Sequence, residues 1–225
     1  MPWSKDQLTW LITGASSGFG LQLTRLALSH GHIVIATSRT PRSNPELVSE
    51  IQSQGGRFLQ LDIDAQDAAT NLIGELEKDG IHVDVLVNAA GYSIHGPVES
   101  FTEEEVKAEM ETTFFGPYRL IRAVVSGMRE RRKGMIVSLS SGAGVDGRPS
   151  MGIYGASKAA MDGRPISHHH ELRFMLIPRF RTSAHRRQRA RTLRRSHPHC
   201  PPRRLRHKLR RSRSHNIHTL PGGLS

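Results

Sequence analysis

The chain has 225 residues, 36% hydrophobic and 23% charged, with a formal net charge of +12 and a pI near 10.9. One cysteine, Cys200, excludes an internal disulfide and fits a reducing compartment. No apolar run reaches the ~18 residues of a membrane span, and Trp3-Ser4-Lys5-Asp6 lacks a signal peptide's apolar core, so a cytoplasmic chain without a membrane partner is expected.

Leu8-Thr9-Trp10-Leu11-Ile12-Thr13 is a short apolar run suited to a buried parallel strand. It enters Gly14-Ala15-Ser16-Ser17-Gly18-Phe19-Gly20 and then a segment with Leu23, Leu26 and Ala27 at helical spacing. Strand, glycine loop and helix form a phosphate-binding context: glycines permit close backbone approach, and free N–H groups at the helix start attract an anion. A second strand, His32–Thr37, ends in Ser38-Arg39. An NAD-binding chain would carry an acid there for the ribose hydroxyls; an arginine instead suits a 2′-phosphate, which points to NADP.

Further helices are predicted near Pro45–Gln54 and Ala65–Lys78, and strands at Arg57–Leu61 and Val83–Val87. A helix opens near Thr102, with Glu103-Glu104-Glu105 in its first turn where the dipole favours acids, and continues in two pieces to Met128. Gly134–Leu139 is the fifth strand. The alternation predicts an α/β fold, a doubly wound (Rossmann-like) parallel sheet with right-handed crossovers.

Tyr154 and Lys158 stand four apart, one helical face, and Ser141 lies upstream. A free tyrosine, with a pKa of about 10, is a poor acid or base at neutral pH, and a neighbouring ammonium favours its phenolate. A serine hydroxyl nearby would hold a carbonyl or alcohol oxygen.

Thr13-Gly14-Ala15-Ser16-Ser17-Gly18-Phe19-Gly20, Asn88-Ala89-Ala90-Gly91, Ser141 and Tyr154-Gly155-Ala156-Ser157-Lys158 together resemble the short-chain dehydrogenase/reductase family over residues 8 to about 162. Within it the chain looks most like the NADP-preferring 17β-hydroxysteroid dehydrogenase-like and retinol dehydrogenase-like group. The resemblance implies Tyr154 as general acid/base, Lys158 as its partner and holder of the nicotinamide ribose, and Ser141 as the group orienting substrate. It implies cofactor contacts from Gly14, Ser16, Ser17, Gly18, Phe19, Gly20, Arg39, Asp62 (at the adenine), Asn88 (supporting the central strand), Ala89 and Gly91. It also implies sheet order 3-2-1-4-5. The implied activity is hydride transfer between NADP(H) and a secondary alcohol or ketone, with a small-molecule substrate and no metal.

Two departures qualify that activity. Thr113 stands where the family carries an asparagine thought to hold a relay water, and one hydroxyl cannot reproduce two-sided amide geometry. Impaired proton transfer is expected, with cofactor binding intact. The second departure is the segment 163–225, which holds sixteen arginines and one lysine against one glutamate. Residues 1–162 form the expected dinucleotide-binding domain; the basic segment is too charged to bury a core and is expected to be disordered. The family's later strands are expected to be missing, leaving the fifth strand as a bare edge, with the run Leu172–Ile177 assigned to chance.

The segment has two readings. One is a frameshift or misplaced splice junction near codon 162; the other is a nucleic-acid or acidic-partner arm, which its lack of aromatics beyond Phe174 and Phe180 disfavours. The tract His168–His170 reads as surface, since adjacent residues do not converge on one ion. The alternative function is a truncated, inactive nucleotide-binding pseudoenzyme. Association into homo-oligomers is left open.

Overall fold

The computed structural model describes residues 7–163 and the backbone of 172–177. In chain order the elements are β1 (Thr9–Ile12), α1 (Gly18–Ser29), β2 (Ile33–Ser38), α2 (Pro45–Ser53), β3 (Arg57–Gln60), α3 (Ala68–Lys78) and β4 (Val85–Asn88). Then come α4 (Glu103–Met110), α5 (Gly116–Glu130), β5 (Gly134–Leu139), α6 (Gly152–Asp162) and β6 (Leu172–Ile177). The strands form one parallel sheet in the order β3-β2-β1-β4-β5-β6.

Alternation along each strand sends side chains to opposite faces of the sheet. Leu11, Ile35, Leu86 and Ile136 join Leu72 and Leu76 of α3 and Leu120 and Met128 of α5 in one core layer. Ile12, Val34, Ala36, Val87 and Val137 join Ala27 and Leu28 of α1 and Leu47 and Ile51 of α2 in the other. Both faces are covered, which is why the strands read as continuous apolar runs.

Local signals fix the helix starts. The Asn44 side chain accepts from the Leu47 amide at 3.1 Å, with Pro45 opening α2. Thr102 and Glu105 cap α4 reciprocally, Thr102 Oγ1 accepting from the Glu105 amide and Glu105 Oε2 from the Thr102 amide. The α3 helix opens at Ala68, later than the expected Ala65, because a turn over Asp62–Ala65 occupies those residues: the Asp64 amide donates to Asp62 Oδ1 and the Ala65 amide to the Asp62 carbonyl. The segment expected in two helical pieces is joined by a single π-helical turn, Glu111–Phe115, that carries Thr113.

One expectation is corrected. β5 is not the bare edge of the sheet: β6 pairs parallel with it from Gly134↔Leu172 to Leu139↔Ile177. A Leu-Arg-Phe-Met-Leu-Ile run is short, apolar and free of Gly and Pro, and an adjacent apolar strand offers it a full ladder of backbone partners. The His168–His170 tract and the Arg-rich segment beyond 177 lie outside the described residues, as does the expectation that they are disordered.

Candidate active site

At the carboxyl ends of β1 and β4 the two chain segments are stitched together. Thr13 Oγ1 accepts from the amides of both Ala89 and Ala90 at 3.1 Å, and the Thr13 amide donates to the Val87 carbonyl. Gly14 (φ +64°) lies so close to this strand end that a β-carbon would stand 2.8 Å from the backbone of Ala90. Gly20, in the first turn of α1, leaves no room for a β-carbon against the Gly14 carbonyl. The glycines therefore let loop, strand and helix meet at backbone distance. No acid stands in the first turn of α1 and Ser17 makes no side-chain cap, so neither a carboxylate nor a capping side chain competes with an anion at the helix start.

A cavity of about 830 Å³ opens over this junction. Its floor includes Gly14, Ser16, Ser17, Gly18 and Phe19, and one wall carries Ser38, Arg39 and Asp62. Ala89 and Gly91 line it below β4, and Tyr154 and Lys158 close the far end. Gly20, Asn88 and Ser141, also expected at the site, do not line it. Gly20 acts one layer back through its contact with the Gly14 loop. Asn88 is buried, with neither side-chain polar atom hydrogen-bonded among the described residues.

Two further buried polar atoms, in residues on the wall, lack a hydrogen-bond partner among the described residues: Ser38 Oγ and Asp64 Oδ1. Unpaired buried groups are costly, and groups facing a cavity are satisfied by what fills it. The glycine cradle, the open helix start, Ser38 Oγ and the exposed Arg39 beside it fit a phosphate-bearing dinucleotide.

The far end is built from β5 and α6. Lys158 is buried, its Nζ donating to the Leu139 carbonyl at 2.8 Å and lying 5.8 Å from the centre of the half-buried Tyr154 ring. The i, i+4 spacing does place the two on one face. Ser141 Oγ accepts from the Ala143 amide at 3.3 Å, capping the short turn Gly142–Gly144, and its own proton stays available. Ser140 lines the cavity instead, with its Oγ donating to Asp162 Oδ2.

Beneath this end lies a carboxyl that the sequence does not announce. Glu109 of α4 is 0% exposed. Thr113 Oγ1 donates to its Oε1 at 3.1 Å, and Ser157 Oγ lies at the same distance from that oxygen. Ser157 Oγ also lies 2.9 Å from the Tyr154 carbonyl, so its one proton serves either acceptor. Burial pushes the Glu109 carboxyl above its ordinary value, against the hydrogen bonds and the Lys158 charge that favour its ionised form. Tyr92, a cavity-lining phenol, is pushed up by burial and by the Glu109 and Asp64 carboxylates. Thr13, Asp64, Tyr92 and Glu109 are the site residues that sequence reasoning missed. Only Thr13, adjoining the glycine loop, carried a usable signal.

Residues 9–175 match the model of the family described as short chain dehydrogenase. Oxidoreductase claN of Passalora fulva is 40% identical over 155 residues, 69% of this chain and 71% of that protein. Human retinol dehydrogenase 8 is 36% identical over 162 residues, 69% of this chain but 51% of its own length. Among solved structures, a metagenomic short-chain oxidoreductase in complex with NADP superposes with a TM-score of 0.72 at 29% identity, covering 80% of this chain and 85% of that one. Glycine loop, parallel sheet and Tyr154–Lys158 pair coincide with this similarity across most of the chain, which belongs to the short-chain dehydrogenase family of nicotinamide-dependent oxidoreductases.

Proposed function

We propose that the chain is an NADP-dependent oxidoreductase that interconverts a secondary alcohol and a ketone. The observation that carries the phosphate preference is the end of β2: a buried Ser38 Oγ without a partner among the described residues, beside an exposed Arg39, with no acid at the strand end to receive ribose hydroxyls. The solved relative in complex with NADP supports the same reading.

The bound nicotinamide supplies the hydride. The chain's residues hold and orient. The Gly14 loop and α1 start receive the diphosphate, Arg39 and Ser38 the 2′-phosphate, and Asp62 the adenine end. Tyr154 holds the proton that a substrate oxygen gains on reduction or loses on oxidation, with Lys158 supplying the nearby positive charge. Ser141 Oγ, which accepts from the Ala143 amide, keeps its own proton for a substrate oxygen, whereas Ser140 Oγ gives its proton to Asp162.

The test pairs an NADPH fluorescence titration with an NADPH-consumption assay over a panel of ketones. Saturable binding with turnover supports the proposal. Binding without turnover supports the alternative, a nucleotide-binding pseudoenzyme, and no binding of either reduced nucleotide overturns both. A small-molecule carbonyl or alcohol is the partner proposed. No described helix is long and apolar enough to cross a membrane, and a cytoplasmic location is part of the proposal.

A further inference from the structure

The buried Glu109 carboxyl is tied to both sides of the Tyr154–Lys158 pair, yet the proposed chemistry gives it no role. Through Oε1 it takes the Thr113 hydroxyl, on the π-helical turn, and faces the Ser157 hydroxyl, next to Lys158 in sequence. Its second oxygen is buried as well. Thr113 Oγ1 and Lys158 Nζ both lie beside Gly91, each 3.9 Å from where a β-carbon on that glycine would stand. Without a side chain at Gly91, the space between them and its backbone is left open. The charged or titratable groups that act on Glu109 are Lys158 from α6 and Tyr92 from the loop after β4, and the Ile94 amide of that loop adds a hydrogen bond.

We propose that Glu109 is a proton-holding positioning residue for the Tyr154–Lys158 pair, linked to it through the hydroxyls of Thr113 and Ser157 and the gap beside Gly91. The inference rests on the oxidoreductase reading of the same site. In ketone reduction, Tyr154 gives its phenolic proton to the substrate oxygen and becomes a phenolate. The Lys158 ammonium then protonates the phenolate and regains a proton from a water in the gap; that water takes the Thr113 hydroxyl proton, and Thr113 takes the proton of Glu109 as the hydrogen bond between them reverses. The phenol is restored, a carboxylate remains at position 109, and solvent water returns the proton. A carboxyl buried enough to retain a proton, yet hydrogen-bonded enough to release it, suits that role. It also gives Thr113 a function in place of the family's asparagine, since a hydroxyl that donates to Glu109 at rest can turn to accept from it and donate into the gap.

The test is a carbon-13 NMR titration of the full chain labelled at glutamate side-chain carboxyls, with the Glu109 signal assigned by its loss in Glu109→Gln. Its midpoint is expected to lie above those of exposed glutamates. It should rise further in Lys158→Met, which removes the facing cation, and in Thr113→Val, which removes a hydrogen bond to the charged form; Thr113→Ser should restore the original midpoint. A generic structural role would not make the midpoint follow the Lys158 charge. A further shift on adding NADP+ supports the link to the cofactor cleft. A midpoint that ignores both Lys158→Met and Thr113→Val overturns the inference even when nucleotide binds. A midpoint that follows both substitutions while no nucleotide binds upholds the coupling and removes the oxidoreductase reading instead.

Discussion

The two ends of the cavity are made of different material. The end under β1 and β2 is mostly backbone: Gly14 against Ala90, Gly20 against Gly14, and the open start of α1. The end under β5 and α6 is mostly side chains, with Tyr154, Lys158, Ser140, Thr113 and Glu109 drawn from three separate stretches of chain. Backbone recognition tolerates little variation, because a single added β-carbon collides with main chain. Side-chain chemistry depends on contacts between separate stretches of chain, as where Thr113 and Ser157 meet the buried Glu109 carboxyl.

The difference predicts which changes separate binding from chemistry. The largest effect is expected from Tyr154→Phe, which should cut NADPH-dependent ketone reduction by about 10²–10⁴-fold while the NADPH fluorescence titration stays unchanged. Loss of nucleotide affinity in that variant would show that the two ends are not separable. Next is Arg39→Ala, which should weaken NADPH binding roughly tenfold, the scale of one charged hydrogen bond, and leave NADH binding unaltered. An equal loss for both nucleotides would remove the 2′-phosphate assignment.

A pH-dependent effect separates the ends further. Because burial raises the folded-state value of Glu109 above the unfolded one, the folded chain binds that proton more tightly. The associated stability is complete below about pH 4.3 and is lost as pH climbs through the folded value. Glu109→Gln has no such loss. The melting temperature of Glu109→Gln relative to the parent should therefore rise from acidic to neutral pH, measured by circular dichroism. A constant difference would mean that the carboxyl does not titrate abnormally. The smallest effect is Thr102→Ala, which removes the α4 cap and should cost about 1 kcal/mol of stability by denaturant unfolding without altering nucleotide binding.

How far the sequence carries depends on the same contrast. The glycine loop, the acid-free end of β2 and the Tyr154–Lys158 spacing are local patterns, each visible within a few residues, and the structure brings them to one cavity. Sheet order was accessible through family resemblance, but β6 was not, because a six-residue run with five apolar side chains inside an arginine-rich segment looks accidental until an adjacent strand is there to pair with it. Glu109 was hidden for a different reason. It sits in Glu-Glu-Glu-Val-Lys-Ala-Glu-Met, which reads as a solvated acidic helix, and its burial depends on α6 packing over that helix. Spacing did not reveal that the Ser141 hydroxyl also caps the turn that follows it.

The central claim is that a nicotinamide dinucleotide lies over the Gly14 turn and reaches toward Tyr154. NADPH titration of the parent chain beside Gly14→Val tests it most directly, with circular dichroism confirming that the variant remains folded. Valine would have to adopt φ +64° and place its β-carbon against the Ala90 backbone. The account predicts saturable NADPH binding in the parent and at least a tenfold loss in the folded variant, more than 1.4 kcal/mol on the affinity scale. Equal affinity in the two proteins, or no saturable binding in the parent, would contradict it.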